Sequence, residues 1–183
     1  MKIFALYLRL DLTIQPDWFD RIWKKYSSTS ILHITLIQTR YIDDNQIEDL
    51  KKKVIKVINE TEFKPEDKRV IFDKTEVEME DEKHSLFMWF IKRNQSIIEL
   101  QRRLLDELKE YNNYCTEVTK EYEILFRPHI TVADRIVDQV EINNLISQGE
   151  KCEGVVKDLV LAIVKNRTIE ESENSNNWTV LSF

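Results

Sequence analysis

The chain has 183 residues, 42% of them hydrophobic and 10% aromatic, which is material for one sizeable core; 27 basic against 33 acidic residues leave a net charge of −6. A chain so charged lacks the broad basic face on which binding to a long nucleic-acid duplex rests, while a local pocket for one or two phosphates remains compatible with it. Only two glycines occur, Gly149 and Gly154, so no glycine-rich phosphate loop or dinucleotide turn can be formed, which argues against P-loop NTPases, Rossmann oxidoreductases and protein kinases.

Residues 2–10 are almost continuously apolar and β-rich, the pattern of a strand covered on both faces. Pro16 opens a short predicted helix with Trp18, Phe19, Ile22, Trp23 and Tyr26 on one side, and a polar loop at 27–30 leads into a strand at 31–37. Asp43 or Asp44 can cap the next helix, where Ile47, Leu50, Val54, Val57 and Ile58 recur at helical spacing. Residues 69–80 alternate Val70, Phe72 and Val77 against Lys74, Glu76 and Glu78, as in a strand with one solvated face; a charged turn and a further strand at 84–91 follow.

Asn94 can cap a long amphipathic helix whose stripe is Ile97, Leu104, Leu108 and Tyr111. A polar stretch through Cys115 precedes a strand at 128–133. A weaker helix carries Ile142, Leu145 and Ile146 and stops at Gly149. Strands at 155–164 and 178–183 close the chain, separated by a polar loop at 166–177. No Pro/Ser linker or low-complexity tract divides the sequence, so residues 1–183 are read as one domain. Strands and helices occur twice in an order close to β-α-β-α-β. The expectation is therefore an α+β, bilobal protein: two pseudo-symmetric β-α-β-type lobes with antiparallel-rich sheets around a central cleft.

Cys115 and Cys152 lie far apart, with no C-x-x-C and no histidine at zinc-finger spacing, so neither a metal site nor a disulfide is expected, and no cofactor is called for. The apolar run near the N-terminus is cut by Arg9 and Asp11, unlike a secretion signal, and no stretch is long enough to span a bilayer. The four Asn-x-Ser/Thr triplets, at Asn59, Asn94, Asn166 and Asn177, therefore carry no weight. A cytoplasmic protein without membrane partners, acting as a monomer, is expected.

Chemistry enters through a repeated tripeptide. Two of the three histidines head the same motif in predicted strands at corresponding places: His33-Ile34-Thr35 and His129-Ile130-Thr131. Strand alternation projects His33 and Thr35 to one face and Leu32, Ile34 and Leu36 to the other; the second motif behaves alike. If the lobes are related by a pseudo-twofold axis, two imidazoles flank one point with two hydroxyls between them. Such a set suits phosphodiester chemistry without metal: one imidazole takes a proton, the other gives one, and the threonines hold the non-bridging oxygens. One His-x-Thr in a strand is commonplace and more often structural. Two copies at matching points of a repeat favour catalysis.

These motifs resemble the two-histidine phosphoesterase superfamily, including bacterial 2′-5′ RNA ligase-like RNA 2′,3′-cyclic phosphodiesterases, and the Phe126-Arg127-Pro128 approach to the second motif is also similar. The resemblance implies a bilobal α+β fold, hydrolysis of 2′,3′-cyclic phosphates of nucleotides or short RNA ends, and no metal requirement. His33, His129, Thr35 and Thr131 would be the catalytic set, with the threonines and Arg127 binding substrate. Many relatives carry a basic residue directly after a Leu-Ala pair; here the run is Val132-Ala133-Asp134-Arg135, which makes Arg127 the better phosphate contact. By the same analogy His129 activates water and His33 protonates the leaving oxygen, though spacing alone leaves the roles interchangeable. Alternatives from the same residues are a 2′-5′ phosphodiesterase or RNA ligase, and a nucleotide- or RNA-end-binding module without turnover. His84, with no threonine two places on, reads as structural.

Overall fold

The strand β1 (Lys2–Ile14) turns Phe4, Leu6 and Leu8 fully inward on one side and Ile3, Ala5 and Tyr7 to the other, as its near-continuous apolar run requires. It lies between β2 (His33–Ile42) and β6 (Cys152–Val164), antiparallel to both. The computed structural model describes residues 1–79, 85–134, 140, 144 and 151–183. The expectations for His84, for the charged turn that follows β3, for Arg135 and for Ile142, Leu145, Ile146 and Gly149 fall outside these residues; Val140 and Asn144 are helical.

The remaining strands are β3 (Arg69–Met79), β4 (Ser85–Ile91), β5 (His129–Ala133) and β7 (Trp178–Leu181). Among the described residues they form one seven-stranded antiparallel sheet in the order β2-β1-β6-β3-β4-β5, with β7 paired to β6. The strand β6 joins two lobes: β1 follows its whole length on one edge, while β3 takes its first residues and β7 pairs with Leu159 to Ala162 on the other. The crossing is tight. A Cβ on Gly154 would stand 3.1 Å from the Asp11 carbonyl oxygen and 3.3 Å from side-chain atoms of Leu12 and Val70.

Helices α1 (Phe19–Tyr26), α2 (Ile47–Asn59) and α3 (Gln95–Glu107) bury their apolar stripes on one face of this sheet, with Ile22, Leu50, Val54, Ile97 and Leu104 all at 0% exposure. Asn94 caps α3 as expected, its Oδ1 accepting from the Ile97 N–H at 3.1 Å. Two further helices stand where sequence periodicity gave only polar loop: α4 (Glu117–Ile124), capped by the Thr116 hydroxyl, and the short α5 (Ile169–Glu173), capped by Thr168.

α4 docks on β2 through charge instead of hydrocarbon. Arg40 and Glu123, each 1% exposed, form an ion pair. Arg40 also donates to the carbonyls of Tyr111 at 2.7 Å and Leu108 at 3.3 Å, and to the Tyr114 hydroxyl at 3.0 Å. Glu123 accepts from the Gln38 N–H at 2.7 Å and from the Tyr114 hydroxyl at 2.5 Å. This network lets β2 run on through Gln38, Thr39 and Arg40, beyond the apolar end expected at residue 37.

The sheet curls. β2 and β5 stand at opposite ends of the strand order, yet their Cα atoms approach within 8 Å. The two edge strands are the two that carry the His-x-Thr motifs.

Candidate active site

Each motif sits in its strand with the same alternation: His33 and Thr35 are half-buried between buried Ile34 and Leu36, and His129 and Thr131 are half-buried between buried Ile130 and Val132. The buried members anchor the strands in the core, so the imidazole and hydroxyl of each pair are held on the opposite side. His33 Nδ1 lies 2.8 Å from the Ile31 carbonyl oxygen, and His129 Nδ1 lies 2.7 Å from that of Arg127. A carbonyl can only accept, so each Nδ1 is the protonated donor and each Nε2 is left to react.

An aromatic ring from the neighbouring strand supports each imidazole, Tyr7 at 5.0 Å from His33 and Phe90 at 5.2 Å from His129 between ring centroids. Two carboxylates set the loop before β2. Asp134, just past β5, accepts from the Ser28 N–H at 2.7 Å and from the Ser28 hydroxyl, across 106 residues of sequence. Its own N–H donates to the Tyr26 carbonyl at 3.2 Å, so the end of one motif strand is tied to the approach to the other. Glu173, on α5, accepts from the Thr29 hydroxyl at 2.8 Å, the Ser30 N–H at 2.5 Å and the Ser30 hydroxyl at 2.9 Å.

Two cavities meet at Thr35 and Gln38. The larger, about 400 Å³, is lined by His33, Thr35 and Thr131 and runs over Ala5 and Ala162 to Arg167. The smaller, about 180 Å³, lies beside His129 and Arg127 and is walled by Phe90, Tyr122 and Phe126. Burial is the main cause holding both histidines below their ordinary value of 6.5. Glu173 pulls His33 back up, as does the Ile31 carbonyl. For His129 the Arg127 carbonyl and Glu78 act upward, while the Arg127 guanidinium and His33 itself push further down. The two imidazoles are therefore within electrostatic reach of each other. Neither the Thr35 nor the Thr131 hydroxyl is committed to a hydrogen bond among the described residues.

The fold is similar to that of Usb1. The structure of Kluyveromyces marxianus Usb1 with uridine monophosphate has a TM-score of 0.54 at 9% identity, covering 99% of this chain and 98% of that one. A second Usb1 structure from the same organism gives a TM-score of 0.54 at 10% identity with the same coverage. No family model and no curated protein matches the chain. At such identities the likeness to Usb1 is one of fold.

Within this Usb1-like frame His33, Thr35 and Thr131 line the larger cavity and Thr35 and His129 the smaller, while Arg127 precedes β5. It is exposed, lies over the Phe90 ring at 4.6 Å and pairs with Glu76 at 2.9 Å. Its guanidinium lines the smaller cavity, already partnered. Among the described residues no group of His, Cys, Asp and Glu side chains is arranged to hold a metal ion. Periodicity gave no sign of Tyr7 or Glu173, which reach the site by pairing between distant segments; Gln38 and Asp134 each stand three residues past a motif threonine, yet nothing in the sequence alone marked them.

Proposed function

We propose that the protein is a phosphodiesterase of the two-histidine phosphoesterase kind, which opens 2′,3′-cyclic phosphates on nucleotides or RNA ends. One observation carries the reading: two imidazoles, each fixed by donation from Nδ1 to the carbonyl two residues upstream, stand on the two edge strands that the sheet brings together, beside adjoining cavities that also offer two uncommitted threonine hydroxyls. The Usb1 likeness, including a structure of that protein with a uridine nucleotide, supports the same general chemistry and a nucleotide or RNA end as ligand.

The steps follow from the groups present. A neutral Nε2 takes a proton from water as its oxygen attacks phosphorus. The bond from phosphorus to one ribose oxygen breaks, and that oxygen receives a proton from the other Nε2, leaving a nucleoside monophosphate. The Thr35 and Thr131 hydroxyls donate to the non-bridging oxygens, where charge builds in the transition state. A carboxylate favours the imidazolium form of each histidine, Glu173 for His33 and Glu78 for His129, and the Arg127 guanidinium opposes it at His129. By likeness to the two-histidine phosphoesterases, His129 is taken as the base and His33 as the acid. All proton transfers are supplied by side chains, so turnover is expected to survive chelators.

The test is turnover of a panel of nucleoside 2′,3′-cyclic phosphates and 2′-5′-linked dinucleotides, with products assigned by phosphorus NMR. Replacing His33 or His129 with alanine is expected to lower the rate on cyclic phosphates about 10²–10⁴-fold while leaving the fold intact. Near-normal rates in either variant overturn the acid–base assignment.

A further inference from the structure

The larger cavity extends well past the motif residues, and its floor has a particular shape. On the face of β1 and β6 opposite α1, α2 and α3, three cross-strand pairs follow one another: Ile3 with Val164, Ala5 with Ala162, and Tyr7 with Val160. Two alanines between larger pairs leave an apolar dent in the sheet, and the cavity of about 400 Å³ lies over it. The His33–Thr35 pair stands at one side of this space and Arg167 lines another.

Charge within the cavity is unevenly committed. The carboxylates of Asp134 and Glu173 are both engaged by donors from the loop before β2. Arg167 is exposed, and no carboxylate among the described residues pairs with it. A guanidinium with no carboxylate partner among the described residues, across an apolar floor from the proposed phosphate site, fits a second phosphate of the same ligand. The smaller cavity does not offer this: at about 180 Å³ it has little more room than the roughly 150 Å³ that holds a single benzene ring, and its one arginine is bound to Glu76.

We propose that the larger cavity is a subsite for the nucleotide bearing the reacting phosphate, with ribose and base over the Ala5–Ala162 dent and the 5′-phosphate on Arg167. The substrate class is then a 5′-phosphorylated nucleotide or chain end, in preference to a free nucleoside cyclic phosphate. This rests on the phosphodiesterase reading above for the identity of the reacting group, but not for the binding itself.

Two measurements separate the subsite from the activity. The first compares kcat/KM for uridine 2′,3′-cyclic phosphate with and without a 5′-phosphate. The second compares, by calorimetry, binding of uridine 3′,5′-bisphosphate with that of uridine 3′-monophosphate, which needs no turnover. In the wild-type protein the 5′-phosphate is expected to improve both about 5- to 10-fold, in the range of a partly exposed charged contact. Arg167→Ala is expected to erase that gain and leave the ligands without a 5′-phosphate unchanged. Ala162→Leu, which fills the dent, is expected to weaken mono- and bisphosphate by the same factor. Equal binding of the two ligands by the wild-type protein, a preference that persists in Arg167→Ala, or indifference of both ligands to Ala162→Leu overturns the subsite. Absence of turnover alongside Arg167-dependent bisphosphate binding overturns the activity and leaves the subsite standing.

Discussion

Replacing Glu123 by alanine removes one half of a charge pair that is 1% exposed on each side. What remains is an Arg40 guanidinium with two carbonyls and one phenol as acceptors and no anion, its Nε already without a partner. The Gln38 N–H loses its acceptor at the same time. Breaking a buried pair from one side costs about 3–5 kcal/mol, a large part of the roughly 5–15 kcal/mol that holds a domain together. Urea denaturation is the assay, with the loss expected as a lower midpoint at unchanged slope. The double variant Arg40→Met/Glu123→Leu removes both charges but strands the Gln38 N–H and the Tyr111 carbonyl, so it is expected to recover part of the Glu123→Ala loss and to stay about 1–3 kcal/mol below wild type. A Glu123→Ala loss below about 1 kcal/mol refutes the reasoning, since it means the pair behaves as an exposed one.

Four further outcomes are expected. Both histidines titrate below 6.5 in the free protein, so the bell-shaped pH dependence of kcat/KM is centred on the acidic side of 6.5, and an optimum clearly above that value contradicts the burial argument. By linkage, the unfolded chain binds more protons than the folded one between the folded pKa values and 6.5, so stability rises with pH through that window and falls on acidification; proton titration of His33→Ala and His129→Ala isolates each share. Tyr7→Phe removes a buried hydroxyl that has no hydrogen-bond partner and is expected to leave stability unchanged or raise it by about 1 kcal/mol, whereas a clear loss in thermal melting contradicts this. Gly154→Ala forces a Cβ to within 3.1 Å of a backbone carbonyl and is expected to cost about 1–3 kcal/mol by chemical denaturation; a neutral result would mean that the β1–β6–β3 crossing yields easily.

The elements with a single apolar face were legible in the sequence. Period-two alternation marked β3, composition marked the motif strand β2, Asn94 marked the start of α3, and strand parity put each imidazole beside its hydroxyl. α4 escaped because the side chain that docks it is Glu123, while Val118 and Ile124 are exposed at 54% and 68%, inverting the pattern that periodicity detects. The same pair hid the second half of β2, where Arg40 is buried against a carboxylate 83 residues away. α5 is five residues long and too short to show a period. The meeting of the two motifs is likewise not local information: it depends on the curl of an entire sheet, which brings its two outermost strands together.

That curl has a consequence for the life of the chain. Both histidines leave the ribosome before β6, the strand whose two edges zip β1 to β3. Until it inserts, the two motif strands are tied through Asp134, bound to the loop before β2, and the Arg40–Glu123 pair, without the continuous sheet between them. A polypeptide cut before residue 152 would thus carry both His-x-Thr motifs and lack the strand that joins β1 to β3.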